Sequence, residues 1–416
     1  MTEKLFTKNF TLLVLGQVSS LFGNMILRFA LSMYVLEVSG SATIFASILA
    51  IATIPTILLS PLGGILADRA NRRNIMVALD ALTGISVLSA TLLFSLGNDI
   101  VVITILLVVL SILGAFETPT VQACVPQMQT GDNIIKGNAV VNQIAAVSTL
   151  IAPILGSILY TAFGVKPVMI TSIVCFFLTA TFECFIKLEY IRYDNRTGIG
   201  EIIKNDFAVS MKFMCKEQPS ILKMLLLAAI TRFFVIGTAM VGLPYIVRNI
   251  LGLSATYYGA AESALAIATI LGSIAAGLLI TKLKIRKLSL ILAAFGLFLF
   301  PAGVAFLFPL GTALTYIINV ISFCGIYIAT TIFSIFAVSV IQQKTPTHLT
   351  GKIMAYTATI TMCIQPLGQI AYGFLFDGFR NAVYLVLIPT GIIVCLIGLL
   401  ATGFFKKLEM DQTATK

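Results

Sequence analysis

Charge is scarce in this 416-residue chain, in which 11% of the residues are charged and 58% are hydrophobic. Because a soluble domain carries about 25% charged residues, this composition excludes a water-exposed globular fold. Apolar runs of roughly 20 residues, long enough to cross a bilayer, recur from one end of the chain to the other. Backbone polar groups cannot remain unpaired in hydrocarbon, so these runs must form helices.

The residues and motifs of an enzyme are scarce as well. No Gly-x4-Gly-Lys-Ser/Thr phosphate loop is present, which argues against ATP as an energy source. His348, the single histidine, falls in a predicted loop beside Pro346, where it is not placed to relay protons. The seven cysteines are odd in number and show no metal-ligand spacing. We therefore expect no catalysis, no cofactor and no bound metal.

Basic residues set the expected orientation of twelve candidate spans. With the N-terminus inside, most of the 27 lysines and arginines fall in inner loops or tails. The net charge of +10 then reflects membrane topology, not nucleic-acid binding. The first apolar run is too long for a signal peptide, so we interpret it as a permanent span. We expect a multi-pass protein of the cytoplasmic membrane with both termini in the cytoplasm.

The chain divides into two similar halves. Ser41–Thr43 reads Ser-Ala-Thr and recurs at Ser254–Thr256, and the same offset carries Pro153 onto Pro366. We predict a six-helix bundle over residues 1–188, a cytoplasmic linker over 189–218, and a second six-helix bundle with a short tail over 219–416. Parallel repeats of six helices are typical of a large class of secondary transporters, although an unrelated twelve-helix bundle remains an alternative.

The segment between the second and third spans reads GGILADRANRRNIM and contains Gly64, Asp68, Arg69, Arg72 and Arg73. It resembles the loop 2–3 signature of the major facilitator superfamily, Gly-x-x-x-Asp-Arg-x-x-Arg-Arg. The resemblance implies two six-helix bundles that work by alternating access, with this loop as a conformational latch. Gly64 is expected to allow helix ends to approach closely, and Asp68 to lie against the positive end of a helix.

The latch needs an acidic partner for Arg72, and we expect Glu117, near the inner end of helix 4. The alternative is that the loop arginines only enforce topology.

A second resemblance lies in helix 5, where many superfamily exporters carry Gly-x8-Gly-x3-Gly-Pro-x2-Gly-Gly. Pro153 and Gly156 match, and alanine or serine replaces the other glycines. The stretch Gly16–Ala42 resembles the macrolide-efflux and enterobactin-exporter-like subgroup.

Ionisable residues within spans are costly in lipid and therefore indicate function. Glu262 and Arg28 are each expected about 10–12 Å below the outer surface, where they could form an ion pair or share a cavity. Arg232 lies nearer the midplane, as a substrate or counter-ion contact. We predict Glu262 as the proton-coupling carboxylate, with a fixed structural ion pair as the alternative. Asp80 and Glu183 are interpreted as snorkelling or locally paired groups.

Uncharged polar residues are candidates for lining a cavity, although helix–helix contacts would explain them equally well. These candidates are Gln17, Asn24, Asn142, Gln143, Gln365 and Gln369.

The sequence thus predicts an all-α secondary transporter that exports a small amphipathic molecule, such as a drug, a macrolide-like compound or a siderophore, by proton antiport. Two alternatives stay open: a nutrient importer or uniporter, and a non-transporting receptor or lipid scramblase on the same fold. The expected partners are a small-molecule substrate, the proton and the lipid bilayer. We expect a monomer that does not bind nucleic acid.

Overall fold

The computed structural model describes residues 4–188, 210–279 and 284–414, and within these ranges the chain forms helices and turns without a strand. In the part of the chain that the structure describes, eleven helices are long and apolar enough to cross a membrane. A further helix, Thr347–Gly378, has 32 residues. The predicted all-α architecture of twelve membrane helices is therefore confirmed.

The helices are α1 (Lys8–Ser39), α2 (Ala42–Arg69), α3 (Arg72–Leu93), α4 (Asp99–Met128), α5 (Asp132–Phe163), α6 (Val165–Cys184), α7 (Pro219–Ile250), α8 (Ala255–Leu279), α9 (Leu288–Val304), α10 (Thr312–Lys344), α11 (Thr347–Gly378), α12 (Tyr384–Leu400) and α13 (Thr402–Ala414).

Local capping residues explain several helix boundaries. Asn71 begins α3 by accepting the backbone N–H of Asn74, at 3.3 Å, and Asn98 begins α4 in the same way. These side chains satisfy N–H groups that have no partner within the helix. At the end of α1, Gly40 has a φ of 61°, the left-handed conformation that closes a helix without a Cβ clash.

Unit 1 comprises the described residues of Met1–Gly40, Ile48–Asn195 and Leu253–Ser263. Within it, α1 packs against α5 and α6, and α3 packs against α4 and α6. Unit 2 comprises the described residues of Ser41–Ser47, Arg196–Gly252 and Ala264–Lys416. There α9 packs against α10 and α12, and α7 packs against α11.

Each unit includes a short segment from outside its main sequence range. Asp377, near the end of α11 in unit 2, accepts the backbone N–H groups of Ala42 at 2.8 Å and Thr43 at 2.9 Å, and also the Ser41 hydroxyl. This carboxylate therefore caps the first turn of α2. The sequence-based boundaries at 1–188, 189–218 and 219–416 stay a prediction, because most of the linker lies outside the described residues.

α7 packs closely against α11 in unit 2. Its second half contains two π-helical segments, Ile236–Gly242 and Ile246–Ile250. Gly237 lies against the ring of Tyr372 and Gly242 against the ring of Phe376, with no room for a methyl group at either position. Tyr372 also hydrogen-bonds Thr390 of α12 at 2.8 Å. Because these two positions of α7 are glycines, the aromatic side chains of α11 can fill the core beside them.

We predict that Gly237→Ala destabilises the protein, because the added methyl group would overlap the Tyr372 ring. Overpacking of this kind costs about 1–3 kcal/mol. Thermal unfolding of detergent-solubilised protein measures the effect. Gly277→Ala is the matched control, since a methyl group there meets no atom within 4 Å. Equal melting temperatures for the two variants would contradict the packing described for α7.

Candidate functional site

Three carboxylic acids, Asp80, Glu117 and Glu183, lie close together in the interior of unit 1. We call these three residues and Ser20 the carboxyl cluster. The Ser20 Oγ atom lies 2.9 Å from Asp80 Oδ1 and 3.2 Å from Glu117 Oε1. Asp80 and Glu183 face one another within hydrogen-bond distance. Asp80 is 2% exposed and Glu183 is 1% exposed. Four helices, α1, α3, α4 and α6, therefore each contribute one polar group to this buried site.

The short length of α6 places Glu183 in the interior. This residue is next to the end of α6, but α6 packs against the third turn of α1, where a Cβ atom at Gly16 would lie 3.7 Å from Glu183 Cγ. Thr179 also donates to the Gly16 carbonyl at 3.2 Å. The Arg73 guanidinium donates to the carbonyls of Glu183, at 3.4 Å, and Cys184. Since a cation is favoured at a helix C-terminus, Arg73 stabilises this buried helix end.

Glu117 also lies deeper than predicted. It is separated from the end of α4 by about 16 Å of helix, at 1.5 Å per residue. Its contacts are with Ser20 and the nearby positive charge of Arg28. Arg72 instead donates to the carbonyls of Ala67, at 2.8 Å, and Ala123, at 2.7 Å. The predicted pairing of Arg72 with Glu117 is therefore corrected: the structure places Glu117 in the carboxyl cluster.

Arg28 is the cation beside the carboxyl cluster. Its Nε donates to Asn24 at 2.8 Å, and both terminal nitrogens lie 3.4 Å from the Ser111 hydroxyl. The predicted partner, Glu262, instead hydrogen-bonds Tyr258, one turn earlier on α8. Arg28 therefore faces Glu117, and the expected contact with Glu262 is corrected.

Helix geometry explains this outcome. The ring of Tyr258 stacks on Phe29, with 5.6 Å between the ring centroids. Successive residues of a helix project about 100° apart. The residue before Phe29, Arg28, is therefore directed to a different face of α1.

The contact between Asp80 and Glu183 needs a bound proton to become a hydrogen bond. At Ser20, the single hydroxyl hydrogen is either shared between Asp80 and Glu117 or donated to one of them while a protonated carboxyl group donates in the other contact. Among the described residues, no N–H or O–H reaches Asp80 Oδ2 or Glu183 Oε2. Their mutual contact becomes a hydrogen bond only when one of the two acids carries a proton.

A continuous series of polar groups results. It runs from Glu183 through Asp80, Ser20 and Glu117 to Arg28. Oxygen atoms in this order can pass a proton from one carboxyl group to the next through the hydroxyl group. In the described residues, no group of three or more acidic, histidine or cysteine side chains is arranged to hold a metal ion.

The residues of loop 2–3 lie in different surroundings in unit 1. A Cβ atom at Gly64 would meet nothing within 4 Å, whereas one at Gly63 would overlap the carbonyl of Ala115 and lie 3.0 Å from Pro119 Cγ. The close approach expected at Gly64 therefore occurs at its neighbour. Arg69 is exposed, and the side chain of Asp68 lies outside the described residues.

The α5 motif lies at close helix contacts within unit 1. A Cβ atom at Gly156 would lie 3.3 Å from the Phe29 ring. Ser157 and the Pro153 carbonyl pack tightly against Gly259 in the first turns of α8. The glycine that permits this second contact is thus on α8, which compensates for the serine on α5.

A cavity of about 610 Å³ lies within unit 2, among α7, α8, α10 and α11. Arg232 lines it, and its Nη2 atom lies 3.4 Å from Gln365 Oε1. The polar lining consists otherwise of hydroxyl groups, and the remainder is mainly aliphatic and aromatic. The hydroxyl-bearing residues are Thr231, Thr269, Ser273, Tyr327, Thr330, Thr331, Ser334, Thr357 and Thr361.

The six amide residues predicted to line a cavity do not line this one. Gln17 and Gln369 are buried at 4% and 1% exposure. Asn24 contacts Arg28, and Gln365 contacts Arg232 from outside the lining.

Asn142 and Gln143 are exposed on α5. Sequence reasoning also missed Ser20 and judged Asp80 and Glu183 to be local pairs. The sequence signal for this cluster is the presence of three acids within predicted spans. Each acid raises the free energy of the protein in the membrane unless it has a polar partner.

The comparisons with known proteins agree with this architecture. The family model for the Major Facilitator Superfamily matches residues 13–368. Macrolide efflux protein A of Streptococcus pyogenes is 25% identical over 155 residues, which are 37% of this chain and 38% of that protein. The alignment therefore spans well under half the length of this relative.

Solved structures resemble the fold over nearly its whole length. A bacterial homologue of the iron transporter ferroportin, in an inward-facing state, has a TM-score of 0.71 and 17% identity, with 96% of this chain and 98% of that chain covered. A D-xylose–proton symporter has a TM-score of 0.68 and 13% identity, with 94% and 96% covered. Together with the match to the family model, the helix architecture establishes that this chain belongs to the Major Facilitator Superfamily.

Proposed function

We propose that this membrane transporter exports a small amphipathic molecule in exchange for protons, and that the carboxyl cluster binds the coupling proton. The observation that carries the proposal is the series Glu183–Asp80–Ser20–Glu117–Arg28, in which the Asp80–Glu183 contact needs a proton to become a hydrogen bond. A membrane interior rarely holds three acids beside one cation unless they bind an ion or relay protons.

Proton binding to the cluster would change the contacts between helices. An ionised Glu117 attracts Arg28 and accepts a hydrogen bond from Ser20, both on α1. A protonated Glu117 loses the attraction to Arg28 and becomes a donor. The proton thereby alters how α4 is held against α1. A ligand drives a conformational change when it binds one state more tightly than the other. The change in the contacts of Glu117 on protonation gives the proton such a preference.

Two similarities support export over import. The chain is similar to a macrolide efflux protein over 155 residues. The α5 residues Pro153 and Gly156 match a pattern found in many exporters of the superfamily. For the loop 2–3 arginines, we propose that Arg72 and Arg73 stabilise one transport state, because they donate to backbone carbonyls of α2, α4 and α6.

The proposal predicts proton-driven uptake into inverted membrane vesicles that are acid inside. A panel of amphipathic dyes of either charge, together with a macrolide, serves as substrate. We expect a protonophore to abolish accumulation, and Asp80→Asn or Glu117→Gln to reduce it by about 5–150-fold, the usual range of coupling between two ligands. Exchange of substrate without a gradient should persist in these variants.

Asp132→Asn is the matched control, because Asp132 is an exposed acid of unit 1 outside the carboxyl cluster. It should accumulate substrate like the wild type. Protonophore-resistant accumulation in the wild type would refute proton coupling, and wild-type accumulation by both cluster variants would refute the assignment of the proton to this site.

The hydroxyl group of Ser20 predicts a second difference. Ser20→Ala interrupts the series between Asp80 and Glu117, whereas Ser20→Thr retains a hydroxyl group. We expect substrate-induced proton release, followed with a pH-sensitive dye, to slow in the alanine variant and to recover in the threonine variant. Equal rates for the two variants would exclude a relay through this hydroxyl.

Glu262 is the rival proton site. It lies on α8 and hydrogen-bonds Tyr258, apart from the series described above. We expect Glu262→Gln to retain protonophore-sensitive accumulation. If Glu262→Gln loses it while Asp80→Asn and Glu117→Gln keep it, the coupling proton belongs to Glu262, as the sequence alone predicted.

A further inference from the structure

Arg232 is an exposed cation on the wall of the cavity in unit 2. About 20 Å of helix separates it from the start of α7 at Pro219, at 1.5 Å per residue. No carboxylate is among the described residues that line its cavity. Its polar contacts in the described structure are with Gln365 and, electrostatically, with Tyr327. A cation on the wall of a cavity within a membrane-spanning helix favours a ligand of opposite charge.

The hydroxyl groups of the cavity leave Arg232 as the main donor. Thr231, Thr269 and Thr361 donate to carbonyls of their own helices, at 2.7, 2.9 and 2.8 Å. Their hydroxyl hydrogens are therefore engaged, and these oxygens present lone pairs to the cavity. A guanidinium group has five N–H donors in a planar fork and matches the two oxygens of an oxyanion.

The rest of the lining suits an apolar body. Val235, Ile236, Phe333 and Met354 contribute hydrocarbon or thioether surface to the same cavity. Its volume of about 610 Å³ lies within the range of drug-sized ligand pockets, roughly 300–1,000 Å³. One cation in a greasy cavity is complementary to a molecule with one anionic end.

We infer that this cavity binds amphipathic oxyanions, with Arg232 paired to a carboxylate or phosphate and the apolar part of the ligand packed against α7 and α10. The inference narrows the proposed function, on which it rests, to anionic substrates. It disfavours basic amines, because a second cation beside Arg232 would be repelled.

Equilibrium binding to the full chain in phosphatidylcholine nanodiscs tests this site without any proton gradient. Three probes with the same number of carbon atoms, dodecanoate, dodecanol and dodecylamine, carry an anionic, a neutral and a cationic head group. We expect dodecanoate to bind the wild type about tenfold more tightly than dodecanol, equivalent to about 1.4 kcal/mol, with dodecylamine weakest. This comparison needs no variant. Equal affinities for dodecanoate and dodecanol would overturn the inference.

Three variants assign the preference to a side chain. Arg232→Gln should bind dodecanoate and dodecanol alike, whereas Arg232→Lys should keep part of the preference, since a point charge lacks the planar fork. Arg286→Gln is the matched control, because Arg286 is exposed and does not line the cavity. A preference that survives in a folded Arg232→Gln protein would also overturn the inference.

The anionic group could belong to a free substrate or to a phospholipid. Nanodiscs with about one fifth phosphatidylglycerol distinguish these sources. If the anionic lipid weakens dodecanoate binding in the wild type and not in Arg232→Gln, the site takes lipid phosphate; if it has no effect, the site takes the free amphiphile. Binding by a protein that fails to couple to protons would refute the proposed antiport and leave this site intact.

Discussion

Every charge buried in a membrane protein must be compensated within the protein or by a ligand, and this constraint connects the main features of the structure. The low-dielectric surroundings make an isolated ion far more costly than the same ion in water. In unit 1, Arg73 meets the carbonyl end of α6, where the helix dipole is negative, and Arg72 meets a backbone carbonyl of α4. The acids of the carboxyl cluster meet one another, a hydroxyl group and one guanidinium. Arg232 in unit 2 is the case that the described protein groups leave without a carboxylate.

Close packing decides where these charges can meet. The lack of a side chain at Gly16 brings the end of α6 against α1 and so carries Glu183 to the level of Asp80. In unit 2, Gly237 lets the Tyr372 ring fill the space beside α7. Helix association in lipid depends on such van der Waals contact, because lipid chains compete equally for apolar surfaces. The electrostatic site is therefore a consequence of where small residues permit helices to approach.

The sequence predicted the fold because hydropathy and the paucity of charge leave few alternatives for such a chain. The loop 2–3 motif predicted the superfamily to which the chain belongs. The site was predicted only in part. Arg28 and Glu117 were recognised as charges within spans, but their mutual contact depends on which face of α1 Arg28 occupies, and the neighbouring Phe29 takes the face that stacks on Tyr258. The depth of Glu183 depends on the end of α6 relative to Gly16, which no local pattern records.

The internal repeat sharpens the contrast between the two halves. Ser254 follows Ser41 by 213 positions, and the same shift carries Asp80 onto Ala293 and Glu117 onto Thr330. The second half therefore lacks the acids of the carboxyl cluster, and the position that corresponds to Glu117 presents a hydroxyl group to the cavity beside Arg232. On the predicted repeat, the acids of the carboxyl cluster belong to one half and Arg232 to the other. If the carboxyl cluster binds the proton and the cavity binds the anion, the coupled ligands act on different halves of the repeat. They then need no shared contact, because each can bias the same transition by preferring one of its states.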